Sequence, residues 1–247
     1  ASAERPMVSW GTTANVSMPV DTLDPGRGDG LIATRAAGPG WLLEGGLSGA
    51  GSLLEWLSGL LGLPAGDLVA GAHRRPAGAN GVVVLPWLGG ARAPWWRPEA
   101  AASVLGLSAS SDPFDVARAA MEGVAYDIAR CLESGYGKAG AARSSAGTLE
   151  CLALGGSGAS LSPWVEVLTA VTGVRAIRRR SGEAASAGAA LLAAAAVGIE
   201  LELDRMDPLA EVVEPVPADV AAYERLRPRA DRLAAAWLSA AAFARPN

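Results

Sequence analysis

Residues 148–173 read TLECLALGGSGASLSPWVEVLTAVTG, and this stretch decides the fold. The apolar run over 148–154 predicts a strand, the turn Gly155-Gly156-Ser157-Gly158 breaks it, and residues 163–172 predict a helix. A second strand over 174–177 and an alanine-rich helix from Glu183 follow. Strand, glycine turn, helix, strand and helix in that order make an α/β unit with a parallel pair of strands. At the turn, residues without side chains let backbone N–H groups approach a ligand, and the positive end of the following helix favours an anion. A phosphate fits there, although glycine turns between strands and helices are also common for structural reasons alone. A branched side chain at Gly156 is expected to obstruct such a phosphate while leaving the fold largely intact.

Outward from this unit, residues 7–10 predict a short strand, Gly11, Thr12 and Thr13 turn the chain, and residues 16–20 continue as a second strand. A glycine and two hydroxyls in a tight turn can donate to phosphate oxygens. Pro25, Gly26, Gly28, Gly30, Pro39 and Gly40 divide the chain as far as about residue 46 into hairpins, an antiparallel opening. Leu53, Leu54, Trp56, Leu57 and Leu60 recur at helical spacing, so a helix starts just after Gly51 and offers another N-terminus to an anion. Residues 82–85 read as a buried strand, and 86–98 as a proline- and tryptophan-rich loop carrying Arg92 and Arg97. Asp112 and Pro113 open a long amphipathic helix whose core stripe is Phe114, Ala117, Met121, Val124, Ala125 and Ile128. A last amphipathic helix spans 218–242. The whole reads as antiparallel strands merging into an α/β sheet covered by helices.

With 247 residues, half of them hydrophobic, the chain can bury one large core or two small ones. Its net charge of −4 and its single basic cluster, Arg178-Arg179-Arg180, read as a solvated strand end, argue against a nucleic-acid partner. Cys131 and Cys151 lack metal-ligand spacing and read as buried free thiols in a reducing compartment. His73, the only histidine, reads as a surface loop residue, which leaves no histidine general base. The uncharged run between Glu183 and Glu200 is short for a membrane span and reads as a tightly packed interior helix. No secretory signal opens the chain, so a cytoplasmic protein without a membrane partner is expected. Starting at Ala1 suggests a processed product or a piece of something longer.

Residues 102–122 hold a more specific pattern: Gly106-Leu107, seven residues, Asp115-Val116, two more, then Ala119-Ala120-Met121-Glu122. Around it, in order, stand Gly11-Thr12-Thr13, then Trp41-Leu42-Leu43-Glu44-Gly45 followed by Gly51 and Glu55-Trp56, then Pro86-Trp87-Leu88-Gly89-Gly90-Ala91-Arg92-Ala93-Pro94. Together these resemble the C-terminal domain of the FGGY family of carbohydrate kinases, the group of xylulokinases, gluconate kinases and glycerol kinases. Ala91 stands where the family's loop has glutamate. The resemblance covers essentially residues 1–247 as a single domain and implies an actin-like, ribonuclease H-like α/β fold with a mixed sheet. It implies ATP-dependent phosphorylation of a sugar, polyol or sugar-acid hydroxyl with Mg²⁺. This chain would supply the nucleotide-binding half and show little turnover alone. An N-terminal kinase domain would bring the sugar site and the catalytic aspartate, so no catalytic residue is assigned here. The resemblance further implies that Gly11 and Thr12 face the terminal phosphates, and that Gly51 and Glu55 line the nucleotide. Glycerol kinases usually have glutamine where Glu55 stands. Gly156 would pass close to the nucleotide, and Ser160 stands where some members have asparagine. The tryptophan-rich loop could be packing or an interface, which leaves a homodimer open.

Three other readings compete with this resemblance. An actin-like domain could bind nucleotide or a partner without catalysis. A nucleophile elbow at Ser157 would need a histidine after the serine, and His73 precedes it. A dinucleotide fold would need a third glycine where Leu161 stands.

Overall fold

The computed structural model describes residues 2, 4–24, 26–137 and 149–241. The chain opens with β1 (Met7–Trp10), β2 (Ala14–Val20), β3 (Ile32–Arg35) and β4 (Trp41–Leu47), followed by helices α1 (Gly51–Leu61) and α2 (Ala65–His73). A small pair, β5 (Val83–Leu85) and β6 (Ser103–Leu105), brackets the tryptophan loop and leads into α3 (Pro113–Tyr136). Then come β7 (Leu152–Gly155), a single 3₁₀ turn (Ser157–Ser160), α4 (Ser162–Thr172) and β8 (Ala176–Arg179). The chain closes with α5 (Ala184–Ala196), α6 (Leu203–Met206), β9 (Leu209–Val213) and α7 (Pro217–Ala241). Residues 25, 148 and 242, at the edges of expected elements, lie outside the described residues.

One mixed sheet of order β3-β4-β2-β1-β7-β8-β9 organises the molecule. Its opening half is antiparallel as expected, β2 pairing with both β1 and β4, and β1–β7 and β7–β8 are parallel. Alternation sorts the strands' side chains: Val8, Trp10, Val16, Met18, Leu43 and Leu47 turn into the core, while Ser9, Asn15, Ser17 and Glu44 turn to the opposite, more open face.

Helix α3 departs from the amphipathic reading. Its start is as expected: the Asp112 carboxylate accepts from the Phe114 and Asp115 amides at 2.9 and 3.1 Å, and Asp115 accepts from the Asp112 amide at 3.1 Å, a reciprocal cap behind Pro113. From Ala119 to Leu132, however, every residue is buried, charged ones included. The helix is enclosed by the sheet, β5, α4 and α7, and its polar residues are paired inside. Arg130 donates to Asp127 at 2.7 Å and to Asp231 of α7 at 2.6 Å, and the Trp87 indole donates to Asp127 at 2.9 Å. Arg118 and the Tyr223 hydroxyl reach Glu122 at 3.0 and 2.9 Å, and the Gly78 amide donates to the same oxygen at 2.9 Å. Burial pushes the Glu122 carboxyl up, and these donors pull it back toward ionisation.

Three further expectations are corrected. The alanine-rich α5 is not an interior helix: only Ala194 is buried in it. Alanine has too little surface to announce burial, and here one side of α5 covers the sheet's open face above a cavity of about 350 Å³ lined by Met7, Ile177 and Leu191, while the other is exposed. Two of the three arginines are not a merely solvated strand end, while Arg180 is exposed as expected. Arg178 donates to Ala159 O at 2.7 Å and pairs with Glu211, and Arg179 pairs with Asp204 at 2.8 Å. His73 is not in a loop: it closes α2 and sits 3.5 Å from Glu166 of α4. Both cysteines are buried and free, with burial raising each thiol. No single helix among the described residues is long and apolar enough to cross a membrane.

The α3–α7 pairing yields a stability test. Arg130→Met keeps most of the packing volume but strands Asp127 in the interior, so urea unfolding at neutral pH should show a loss of about 3–5 kcal/mol.

Candidate functional site

The tip between β1 and β2 is a three-residue turn, Gly11-Thr12-Thr13, closed by a Gly11 N–H to Thr13 O bond of 2.9 Å. Its carbonyls are tied to the start of α1. Gly51 N–H donates to Gly11 O at 3.0 Å, and Thr12 O accepts from the Ala50 and Ser52 amides and the Ser52 hydroxyl at 3.2, 3.0 and 2.9 Å. A Cβ at Gly51 would stand 2.7 Å from Gly11 O, so only glycine permits this approach. On the other flank, a Cβ at Gly156 would stand 2.4 Å from Trp10 O. Gly156 also adopts φ 87° and ψ 170°, a region almost confined to glycine.

The structure thus brings Gly11, Thr12, Gly51 and Gly156 together, and the amides of its three glycines already have protein acceptors. The Gly11 amide is spent on Thr13 O, the Gly51 amide on Gly11 O, and the Gly156 amide on Gly182 O at 3.0 Å. The amides of Thr12, Thr13, Ser157 and Gly158 donate to no protein acceptor among the described residues. Those four, Gly158 from a buried position and the others from exposed ones, are with the exposed Thr12 and Thr13 hydroxyls the unpaired donors around the tip. The α4 terminus lies farther off than expected, because the 3₁₀ turn intervenes and Pro163 withholds a donor.

Glu55 follows Gly51 by four residues, so both lie on one face of α1. That face lines a cleft of about 260 Å³, opposite Gly66 and Val69 of α2 and beside Gly158 and Leu161. Its lining is aliphatic or glycine apart from Ser157 and the Glu55 carboxylate, which is exposed and pairs with nothing among the described residues. Ser160 is set apart from this cleft. Its hydroxyl donates back to Ser157 O at 2.6 Å, and it lines a second cleft, of about 350 Å³, with Gly156, Arg178 and Gly182. Among the described residues no cluster of His, Cys, Asp or Glu is arranged to hold a metal ion. Helix α2, which the sequence reading missed, supplies one wall. Pro64 ahead of it and Leu68, Val69 and Ala72 on one buried side were the available signal.

The tryptophan loop packs more than it displays. Trp87 is buried, Trp95 meets it edge-on at 6.3 Å between ring centroids, and Trp96, though exposed, donates to Gly30 O at 2.6 Å.

Comparison with known proteins places these features. Residues 7–197 match the model of the FGGY family of carbohydrate kinases, C-terminal domain. A glycerol kinase of Albidiferax ferrireducens is 31% identical over 186 residues, 73% of this chain and 37% of that protein. A ligand-bound xylulose kinase structure from Lactobacillus acidophilus superposes with a TM-score of 0.84 at 21% identity, covering 95% of this chain and 48% of that one. The structure of Plasmodium falciparum glycerol kinase with ADP gives 0.74 at 21% identity, covering 94% and 47%. The chain therefore spans less than half the length of these relatives.

Contrary to the expectation of an intact fold, substitution at Gly156 is a backbone lesion. Gly156→Ala should destabilise the domain by about 1–3 kcal/mol through forbidden φ and ψ alone, read as a lowered thermal midpoint. An unchanged midpoint would mean that the close approach to Trp10 is not held in solution.

Proposed function

Because the chain belongs to the FGGY family of carbohydrate kinases, as its C-terminal domain with an actin-like α/β fold, we propose that it holds the nucleotide of an ATP-dependent carbohydrate kinase. The observation that carries this reading is the meeting of two features at one place: free amides and hydroxyls at the Thr12–Thr13 tip, and a mostly apolar cleft with one carboxylate starting beside it at Gly51. A triphosphate is a line of anionic oxygens that needs such donors, and the planar base of a nucleoside packs its faces in such a slot while its hydroxyl and amino groups meet an acceptor.

In this reading the polyphosphate lies along Thr12 and Thr13, with Ser157 and Gly158 donating from the other side, and the nucleoside enters between Glu55, Gly66 and Gly158. Glu55, which can only accept, faces a hydroxyl or amino donor of the nucleoside and stays clear of the phosphates. Gly51 and Gly156 act indirectly, by letting the tip sit where it does. Ser160 lies toward the second cleft and contributes least. Mg²⁺ fits as a companion of the phosphates, since it keeps much of its water and needs few protein ligands; when bound it neutralises charge on the transferred group. The acceptor is a sugar, polyol or sugar acid held by an N-terminal kinase domain, which also brings the base that takes the proton of the attacking hydroxyl. A cytoplasmic setting belongs to the same proposal.

Calorimetric titration of the 247-residue chain with Mg-ATP should give saturable binding, and Thr12→Ala should weaken it several-fold, the equivalent of about 1 kcal/mol for one neutral hydrogen bond. No binding to the intact chain would sink the proposal. Sugar phosphorylation should be absent from the chain alone and emerge when it is joined to an FGGY N-terminal domain; turnover by the chain alone would show that the base lies within it.

A further inference from the structure

The open face of the sheet carries a cation that no carboxylate among the described residues pairs with. Arg92 stands in the loop between β5 and β6, its own side chain exposed between the buried Ala91 and Ala93. The loop around it is pinned on every side. The Ala93 amide donates to Gly46 O at 3.2 Å and the Ser48 hydroxyl to Gly90 O at 2.7 Å. Ala91 and Arg97 exchange backbone bonds of 3.1 and 2.8 Å, and the Trp95 and Trp96 amides close on Arg92 O at 2.7 and 2.9 Å. The guanidinium is aimed over Gly46: Nη2 lies 3.5 Å from where a Cβ at residue 46 would stand, and Asn15 Oδ1 lies 3.7 Å from the same point.

This places Arg92 beside the hairpin tip. Gly46 faces Asn15 in the β4–β2 register, and Asn15 follows Thr13 by two residues, roughly 7 Å along a strand. Glu44, a carboxylate on that face, accepts from Asn15 at 3.1 Å, Ser17 at 3.3 Å and Thr34 at 2.6 Å and makes no ion pair with Arg92. Ala91 brings no charge of its own. Arg178 and Arg179 are ion-paired elsewhere, whereas Arg92 has no hydrogen-bond or ion-pair partner among the described residues. An unpaired guanidinium on a backbone held this way, on the same hairpin side as the unpaired Thr12 and Thr13 amides, suits phosphoryl oxygens, which it can grip with paired N–H groups.

We propose that Arg92 binds the terminal phosphate of the nucleotide seated at the Thr12–Thr13 tip, so that this domain by itself tells a nucleoside triphosphate from a diphosphate. The inference rests on the nucleotide reading of the site and adds the residue that reads the phosphate count. It is tested by titrating the 247-residue chain, and its Arg92→Ala and Arg92→Lys variants, with Mg-ADP and with a non-hydrolysable Mg-ATP analogue. The unsubstituted chain should prefer the triphosphate by about tenfold, the worth of one charge-assisted contact. Arg92→Ala should erase that preference without changing ADP affinity, and Arg92→Lys should retain part of it. Equal binding of both nucleotides by the unsubstituted chain, or an Arg92→Ala variant that keeps the preference, overturns the inference alone. So does a loss that falls equally on both nucleotides, which marks a structural role. Binding of neither nucleotide by the unsubstituted chain overturns the site assignment along with it.

Discussion

The structure turns on a contact between backbones. The consecutive carbonyls of Trp10 and Gly11 are each approached by a residue that has no room for a side chain, Gly156 on one flank and Gly51 on the other. Gly51 brings the start of α1 and, a turn later, Glu55; Gly156 brings the 3₁₀ turn with its free amides. Without these two approaches the hairpin would be an ordinary surface turn. With them it becomes the floor of a recess whose walls come from two segments about a hundred residues apart.

Rigidity behind that recess comes from α3. A helix enclosed on all sides cannot satisfy charges with water, so Asp127, Arg130, Glu122 and Arg118 are balanced by one another and by Asp231 and Tyr223 of α7. Such networks contribute little net energy compared with an apolar core, but they penalise any misplacement of α7 against α3. The indole of Trp87 joins the same set through Asp127, which ties the tryptophan loop, and with it the base on which Arg92 stands, to the centre of the molecule.

Much of the fold was legible because its signals are local. Short β-like runs on either side of the Gly11-Thr12-Thr13 turn located β1 and β2, the Asp112-Pro113 start marked α3, and the order of elements around Gly155-Gly156-Ser157-Gly158 announced the parallel pair. The site was legible at the level of which segments meet, but not of which atoms are free. Nothing in sequence says that the Gly156 amide is consumed by Gly182 or that Ser160 turns toward another cleft, because both depend on partners more than 20 residues away or on the path of a 3₁₀ turn. The burial of α3 on all sides and the exposure of α5 were misread for a related reason. Helical periodicity reports how many sides of a helix are apolar, and alanine is silent on that question, whereas the number of neighbours is fixed by topology.

The β1–β7 pairing couples residues 7–9 to residues 153–155. Contacts so distant along the chain carry a large closure entropy and tend to form late. During synthesis the first hairpin can therefore emerge and pair locally well before its second flank exists. The recess is consequently a product of the final docking events of folding, and a nascent chain halted before residue 156 would carry the hairpin without a pocket.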